Sequence, residues 1–222
     1  MIDTSASRQA ILSRIRGPHA RTNPELAAEE YASVPRIYNR AGILSAEERL
    51  NMFEERLIEY DAHVHRATQS TLCQSIAAAI SRRGAKRLAV PSGIPGDWID
   101  SSMSVSSISV TVVADALSNI ELDGFDGLIS GCTVAIALTG TIVLQTAPGQ
   151  GPRKLSLVPD YHLCIVFAEQ VVETVSEAFD RLAPTARLPT TFISGPSATA
   201  DIEMTRIKGV HGPRFLEVLI VD

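Results

Sequence analysis

The residues best suited to chemistry crowd near the end of the chain. Ser194-Gly195-Pro196-Ser197-Ala198-Thr199-Ala200-Asp201-Ile202-Glu203 is followed closely by Gly209-Val210-His211-Gly212-Pro213. Hydroxyls, turn formers, two carboxylates and an imidazole lie between two apolar, strand-like runs. Asp201 and Glu203 are two apart, and His211 follows. Carboxylate plus histidine is the raw material of an acid/base pair or a substrate contact. The spacing matches no metal-ligand signature, so no metal is assigned. The structural alternative is a clasp in which Asp201 caps backbone amides or pairs with Arg206 or Arg214.

Two further segments carry anion-binding chemistry. In Leu138-Thr139-Gly140-Thr141 a glycine between two threonines offers backbone amides beside hydroxyls, which suits a carboxylate or phosphate oxygen. It equally suits a tight hairpin. Pro148-Gly149-Gln150-Gly151-Pro152-Arg153-Lys154 is glycine-rich and ends in two cations. It lacks the Gly-Lys-Ser/Thr ending of a Walker loop and is no dinucleotide fingerprint. Gly149, Gly151 and Arg153 are candidates for an anion site, against the reading of a solvated loop. Asp160 and His162 are two apart, so on an extended backbone they face the same way; the alternatives are an oriented imidazole and a turn aspartate beside a satisfied histidine. His63 and His65 share one face of a strand, most simply as surface residues. Trp98 reads as a core or pocket anchor.

The elements that must position these residues alternate between helix and strand. Ser5 to Arg16 reads as an amphipathic helix stopped by Gly17-Pro18. Residues 18 to 44 read as an extended arm. Ser45-Ala46-Glu47-Glu48 is a capping box that opens a helix reaching Tyr60. Beyond it come strands near 63–67, 87–90, 107–113, 127–130, 162–168, 190–194 and 215–221, helices over 71–83 and 171–182, a helix start at 97–101, and two strands or a hairpin over 134–144. Strands apolar on both faces and alternating with helices predict an α/β fold of three layers around a parallel-rich sheet. In such folds ligands favour the carboxyl ends of strands, here the loops after Val90, Leu144, Ala168 and Ile193. The chain divides into a helical and extended N-terminal arm over 1–44 and an α/β domain over 45–222.

Composition narrows the function classes. A net charge of −5 over 222 residues argues against nucleic acid as the main ligand. Cys73, Cys132 and Cys164 are odd in number and far apart, the usage of buried reduced thiols in a cytoplasmic protein. A cysteine-ligated iron–sulfur cluster in its usual form needs four thiolates, which this chain does not supply, so no cofactor is assigned to it. The N-terminus shows no secretory h-region. The longest apolar run, Val134 to Leu144, is broken by Thr139-Gly140-Thr141 and is too short to span a bilayer.

Taken together and in order, Ile129-Ser130-Gly131, Ala137-Leu138-Thr139-Gly140-Thr141, Pro148-Gly149-x-Gly151, Leu155-Ser156-Leu157-Val158-Pro159-Asp160-x-His162, Ser194-Gly195-Pro196-Ser197-x-Thr199-Ala200-Asp201-Ile202-Glu203 and Gly209-Val210-His211-Gly212-Pro213 resemble the lactate utilization protein C family, with its LUD domain. The resemblance spans Ser45 to Asp222. It implies a fold similar to the sugar-isomerase and CoA-transferase group. It also implies a place in bacterial oxidation of L-lactate to pyruvate, beside iron–sulfur partner proteins that carry the electrons. On the matching motifs, Thr139, Gly140, Thr141, Gly149, Gly151, Arg153, His162, Gly195, Ser197, Thr199, Asp201, Glu203 and His211 are the ligand-binding candidates, for a small carboxylate or phosphate. Leu138 departs from the family, many of whose members are acidic there, which weakens a catalytic role for that loop. Ala198 stands where some relatives are basic or polar. The competing class is a stand-alone small-molecule enzyme similar to CoA transferases, isomerases or folate cyclo-ligases. The chain has no evident nucleophilic carboxylate in a glycine-rich setting to favour the first of these.

Overall fold

The computed structural model describes residues 5–19, 23–103, 108–113, 117–199, 207–208 and 212–222. Its contacts divide the chain into two units, Met1–Tyr38 and Asn39–Asp222.

The first unit holds helices α1 (Ser5–His19) and α2 (Pro24–Ser33). The sequence predicts a stop at Gly17-Pro18 and an extended run beyond it; α1 instead continues to His19, and α2 is helical. Pro24 occupies the first turn of α2, where a missing N–H costs nothing. Asn23 caps the helix by accepting from the Glu25 amide at 3.1 Å.

The second unit is built on a six-stranded, wholly parallel sheet. Its strands are β1 (His63–Ala67), β2 (Arg87–Pro91), β3 (Ser109–Val113), β4 (Gly127–Ser130), β7 (Tyr161–Phe167) and β12 (Phe215–Val221), in the order β1-β12-β7-β4-β2-β3. A second sheet, ordered β8-β5-β6-β9, comprises β5 (Val134–Ile136), β6 (Thr141–Gln145), β8 (Val171–Val172) and β9 (Thr190–Ile193). Strands β5 and β6 form the predicted hairpin. A short ladder pairs β10 (Ala198–Thr199) with β11 (Ile207–Lys208). The remaining helices are α3 (Ala46–Glu59), α4 (Leu72–Arg83), α5 (Gly96–Met103), α6 (Asn119–Asp123) and α7 (Val175–Leu182).

Alternation along the central strands decides what each face meets. Tyr161, Leu163 and Ile165 of β7 pack with Leu72, Ile76 and Ile80 of α4 and Trp98 of α5. His162, Cys164 and Val166 point the other way, and the last two join Phe53 and Leu57 of α3 and Ile142 of the second sheet. Phe53 and Leu57 are fully buried, worth about 1.5–3 kcal/mol each by transfer. The far face of the second sheet is covered by Ala178 and Leu182 of α7.

α3 opens where the capping box predicts: the Ser45 hydroxyl accepts from the Glu48 amide, and the Glu48 carboxylate accepts from the Ser45 amide at 2.9 Å. The helix predicted from Val171 begins later, at Val175. Thr174 and Glu177 form a capping box that fixes its start, which frees Val171 and Val172 to pair with β5. Among the described residues, no helix is long and apolar enough to cross a membrane.

Candidate ligand cavity

A cavity of about 360 Å³ opens between the two sheets. Its walls include Ser156, His162, Ser194, Gly195, Ser197 and Leu216. His162 and Leu216 are the second residues of β7 and β12, so the cavity lies at the amino ends of these central strands. The carboxyl-end rule predicts the opposite side of the parallel sheet. Only the loop after Ile193 meets that expectation, and it does so because β9 belongs to the second sheet and runs antiparallel to β6.

His162 is the chemical centre of the wall. It is 1% exposed, and its Nε2 shares a 2.8 Å hydrogen bond with the Ser130 hydroxyl. Its Nδ1 is buried and has no hydrogen-bond partner among the described residues. A buried polar atom left unpaired costs about 1–3 kcal/mol, so such an atom beside a cavity marks a place where a ligand or water completes the bonding. The hydroxyl sets the tautomer. When Ser130 donates to Nε2, Nδ1 carries the ring proton and is a donor; when Ser130 accepts, Nδ1 is an acceptor.

The Ser194–Ala198 segment is held in place from two sides. Gly195 has a φ of +80°, and a Cβ there would lie 2.7 Å from the Tyr60 carbonyl oxygen at the end of α3. The Ser197 amide donates to the Pro213 carbonyl at 2.8 Å, which ties the segment to the start of β12. Thr141 links the two chemistry-bearing stretches: its hydroxyl lies 2.7 Å from that of Ser194 and 2.7 Å from that of Thr139. Gly140, at φ +56°, packs against the backbone of Arg56 in α3, where a Cβ would approach the Arg56 carbonyl carbon to 2.9 Å. Thr139-Gly140-Thr141 is thus the turn of the β5–β6 hairpin, with its hydroxyls bonded within the protein.

Gly149 and Gly151 lie elsewhere, at the carboxyl ends of β2 and β4. The Gly149 amide donates to Ser92 at 2.7 Å, its carbonyl accepts from Gly131 at 2.9 Å, and the Gly151 amide donates to Ala147 at 3.0 Å. Arg153 is exposed at the start of a 3-10 turn. The structure therefore brings together His162, Gly195 and Ser197 around one cavity, places Thr139, Gly140 and Thr141 behind its wall, and sets Gly149, Gly151 and Arg153 apart. Thr199 lies in β10. Asp201, Glu203, Arg206 and His211 lie outside the described residues.

Asp160 does not share a face with His162. It precedes β7 and binds Arg214, whose Nε donates to Oδ1 at 2.7 Å. On the opposite face of the sheet, Glu217 is buried and accepts from Arg82 at 2.7 Å and from the Tyr161 hydroxyl at 2.8 Å, with His65 Nε2 at 3.2 Å. Burial, and then Glu217, push the Tyr161 phenol far above its ordinary range. Trp98 is a core anchor beside Phe167.

Ser130, Ser156 and Ser194, which the sequence shows within longer motifs but not as ligand-binding candidates, complete the cavity and its support. The available signal was one hydroxyl and one imidazole inside fully buried strands. Their pairing needs the register that sets Leu128 beside His162 and Ser130 beside Cys164.

The LUD domain family model matches residues 50–221. The chain belongs to the LUD domain family. It is 42% identical over 182 residues to Lactate utilization protein C of Deinococcus radiodurans, covering 80% of this chain and 82% of that protein. It is 28% identical over 225 residues to an uncharacterized protein of Neisseria meningitidis, covering 97% and 94% of the two chains. The crystal structure of a DUF162 family protein from Deinococcus radiodurans matches with a TM-score of 0.69 at 38% identity, over 81% of this chain and 100% of that one. The matched span of this LUD domain contains both sheets and every described residue of the cavity.

Proposed function

We propose that this LUD domain is an accessory component of an L-lactate utilization system and binds a small carboxylate or phosphate in the cavity at His162. Its similarity to proteins named for lactate utilization supports the pathway. The buried His162 Nδ1 on the cavity wall, without a partner among the described residues, is the observation that carries ligand binding. The Ser194 and Ser197 hydroxyls supply further polar contacts for an oxygen-rich ligand. Electrons released on oxidising lactate pass through iron–sulfur partners in this reading, because the three cysteines of the chain fall short of the four thiolates a cluster needs.

The test is thermal denaturation of the purified protein with L-lactate, pyruvate or inorganic phosphate. A ligand at one hundred times its Kd adds about 2.7 kcal/mol of apparent stability. The rise should vanish in His162→Gln and persist in Arg153→Ala, which lies away from the cavity. Deletion of the gene should impair growth on L-lactate, and the tagged protein should co-purify with cysteine-rich cluster proteins. Normal growth without such partners refutes the pathway assignment. The Ser130–His162 pair favours a second reading, a stand-alone small-molecule enzyme; turnover of lactate, CoA esters or sugar phosphates by the purified protein alone would establish it in place of the first.

A further inference from the structure

The face of the central sheet away from His162 carries a second cluster of charge. His63 and His65 of β1, Phe215 and Glu217 of β12 and Tyr161 of β7 share that face, because the parallel register sets His63 beside Glu217 and Phe215 beside Tyr161. α4 packs on the same face, and its last turn carries Arg82 and Arg83. Together these residues line a cleft of about 320 Å³, within the roughly 300–1,000 Å³ of small-molecule sites.

Glu217 explains part of the cluster. A buried carboxylate needs a counter-charge and filled lone pairs. Arg82 supplies the charge at 2.7 Å, and the Tyr161 hydroxyl at 2.8 Å and His65 Nε2 at 3.2 Å complete the bonds. Arg83 and His63 exceed that need. The Arg83 guanidinium carbon lies 3.3 Å from the centre of the Phe215 ring and 5.8 Å from that of Tyr161. Arg83 also borders a recess containing Asp123, Asp126 and Asp160, yet among the described residues it pairs with no carboxylate. Asp126 accepts from the Lys86 and Arg87 amides, and Asp160 binds Arg214. A basic last turn suits the negative end of α4, but that end attracts charge without fixing it over a ring. The stack leaves the N–H edge and the outer face of the Arg83 guanidinium uncommitted among the described residues. Such an edge binds an oxyanion, and such a face stacks on a planar ring.

We propose that this cleft binds a mononucleotide or a similar phosphate ester of a planar ring. Two guanidiniums against one carboxylate leave the cleft with net positive charge. A phosphate monoester brings about 1.5–2 negative charges and three acceptor oxygens, enough to engage Arg83, the remaining N–H groups of Arg82 and the His63 imidazole together. The planar ring lies on the outer face of Arg83 and extends the stack begun by Phe215. Glu217 is a positioning residue, with its oxygens already bonded: it fixes Arg82 and His65. Inorganic phosphate lacks the ring and a nucleoside lacks the charge, so each makes only part of the contact. The cleft lies across the sheet from the His162 cavity, and its ligand is independent of the one bound there.

In the experiment, AMP, adenosine and inorganic phosphate are titrated into the full chain while its imidazole signals are followed by NMR. The His63 and His65 signals should move with AMP, and equally so in His162→Gln. Adenosine and inorganic phosphate should bind the cleft about tenfold or more weakly, and Arg83→Gln should weaken AMP by about tenfold or more. AMP that moves neither signal at about 5 mM, AMP binding that is lost in His162→Gln, or AMP affinity unchanged in Arg83→Gln overturns the proposal. So does inorganic phosphate that binds the cleft as tightly as AMP. If circular dichroism shows that Arg83→Gln does not fold, His63→Ala, at the exposed first position of an edge strand, takes its place and should show a loss in AMP affinity; an unchanged affinity there overturns the proposal.

Discussion

Replacing Gly195 with alanine tests whether the cavity wall is clamped to the end of α3. Two costs add. The left-handed backbone, at φ +80°, disfavours any Cβ by about 1–2 kcal/mol. The new Cβ would also lie 2.6 Å from Tyr60 Cβ and 2.7 Å from the Tyr60 carbonyl oxygen, closer than such contacts occur. The carbonyl cannot swing aside freely, because it shares a peptide plane with the Asp61 amide, which is bonded back to the Ile58 carbonyl at 2.9 Å. Relief of such overpacking costs a further 1–3 kcal/mol or so. Gly84→Ala is the matched control: it caps α4 at φ +70°, and a Cβ there meets nothing within 4 Å. Gly84→Ala should lose about 1 kcal/mol, or roughly 2–4 °C in Tm. Gly195→Ala should lose about 2–5 kcal/mol, or roughly 4–20 °C. Urea and thermal denaturation of both variants measure the difference. Ligand-induced stabilisation should also survive in Gly84→Ala and weaken in Gly195→Ala. Equal destabilisation of the two would refute the clamp.

Removing the α3 cap by Ser45→Ala should cost about 1 kcal/mol, read as a lower urea midpoint with an unchanged m-value. Asp126 supplies a pH dependence. Burial raises its pKa, but the Arg87 and Lys86 amides at 2.8 and 2.7 Å outweigh it and hold the carboxyl below its ordinary value. A depressed folded pKa contributes stability above the ordinary carboxylate range, lost as pH falls through the lowered value. Stability of Asp126→Asn should therefore fall less steeply on acidification than that of the unaltered protein; parallel acid-denaturation curves would refute the assignment. Tyr161→Phe removes one of the bonds to buried Glu217 and should cost about 1 kcal/mol while leaving cavity binding unchanged, because the residue faces the opposite side of the sheet.

Much of the fold was legible because local signals agreed. Ser45 and Glu48 marked the start of α3, and Gly84 its counterpart at the end of α4. The apolar run Tyr161–Phe167 could be satisfied only by burial on both faces. The extended reading of residues 18 to 44 missed α2, because proline breaks a helix from inside but is tolerated at its first turn, where Pro24 stands. Val171 and Val172 fell to a strand because Thr174 and Glu177 fix where α7 begins. The candidate site was legible in composition and not in partnership. Asp160 stands two residues from His162 in sequence but binds Arg214, while the partner of His162 is Ser130, on a neighbouring strand.

The sequence by itself determined the family, the alternation of helix and strand, and the crowding of hydroxyls and glycines at Ser194–Pro213. Each of these depends on residues close in the chain or on motifs in order. Only the tertiary structure decided that the hairpin of Thr139-Gly140-Thr141 backs the cavity, and that the cavity opens at the amino ends of β7 and β12. Those outcomes rest on strand register and on how the two sheets pack. A shift of one residue in that register would turn His162 and Cys164 to the opposite face, a choice the whole buried core makes together.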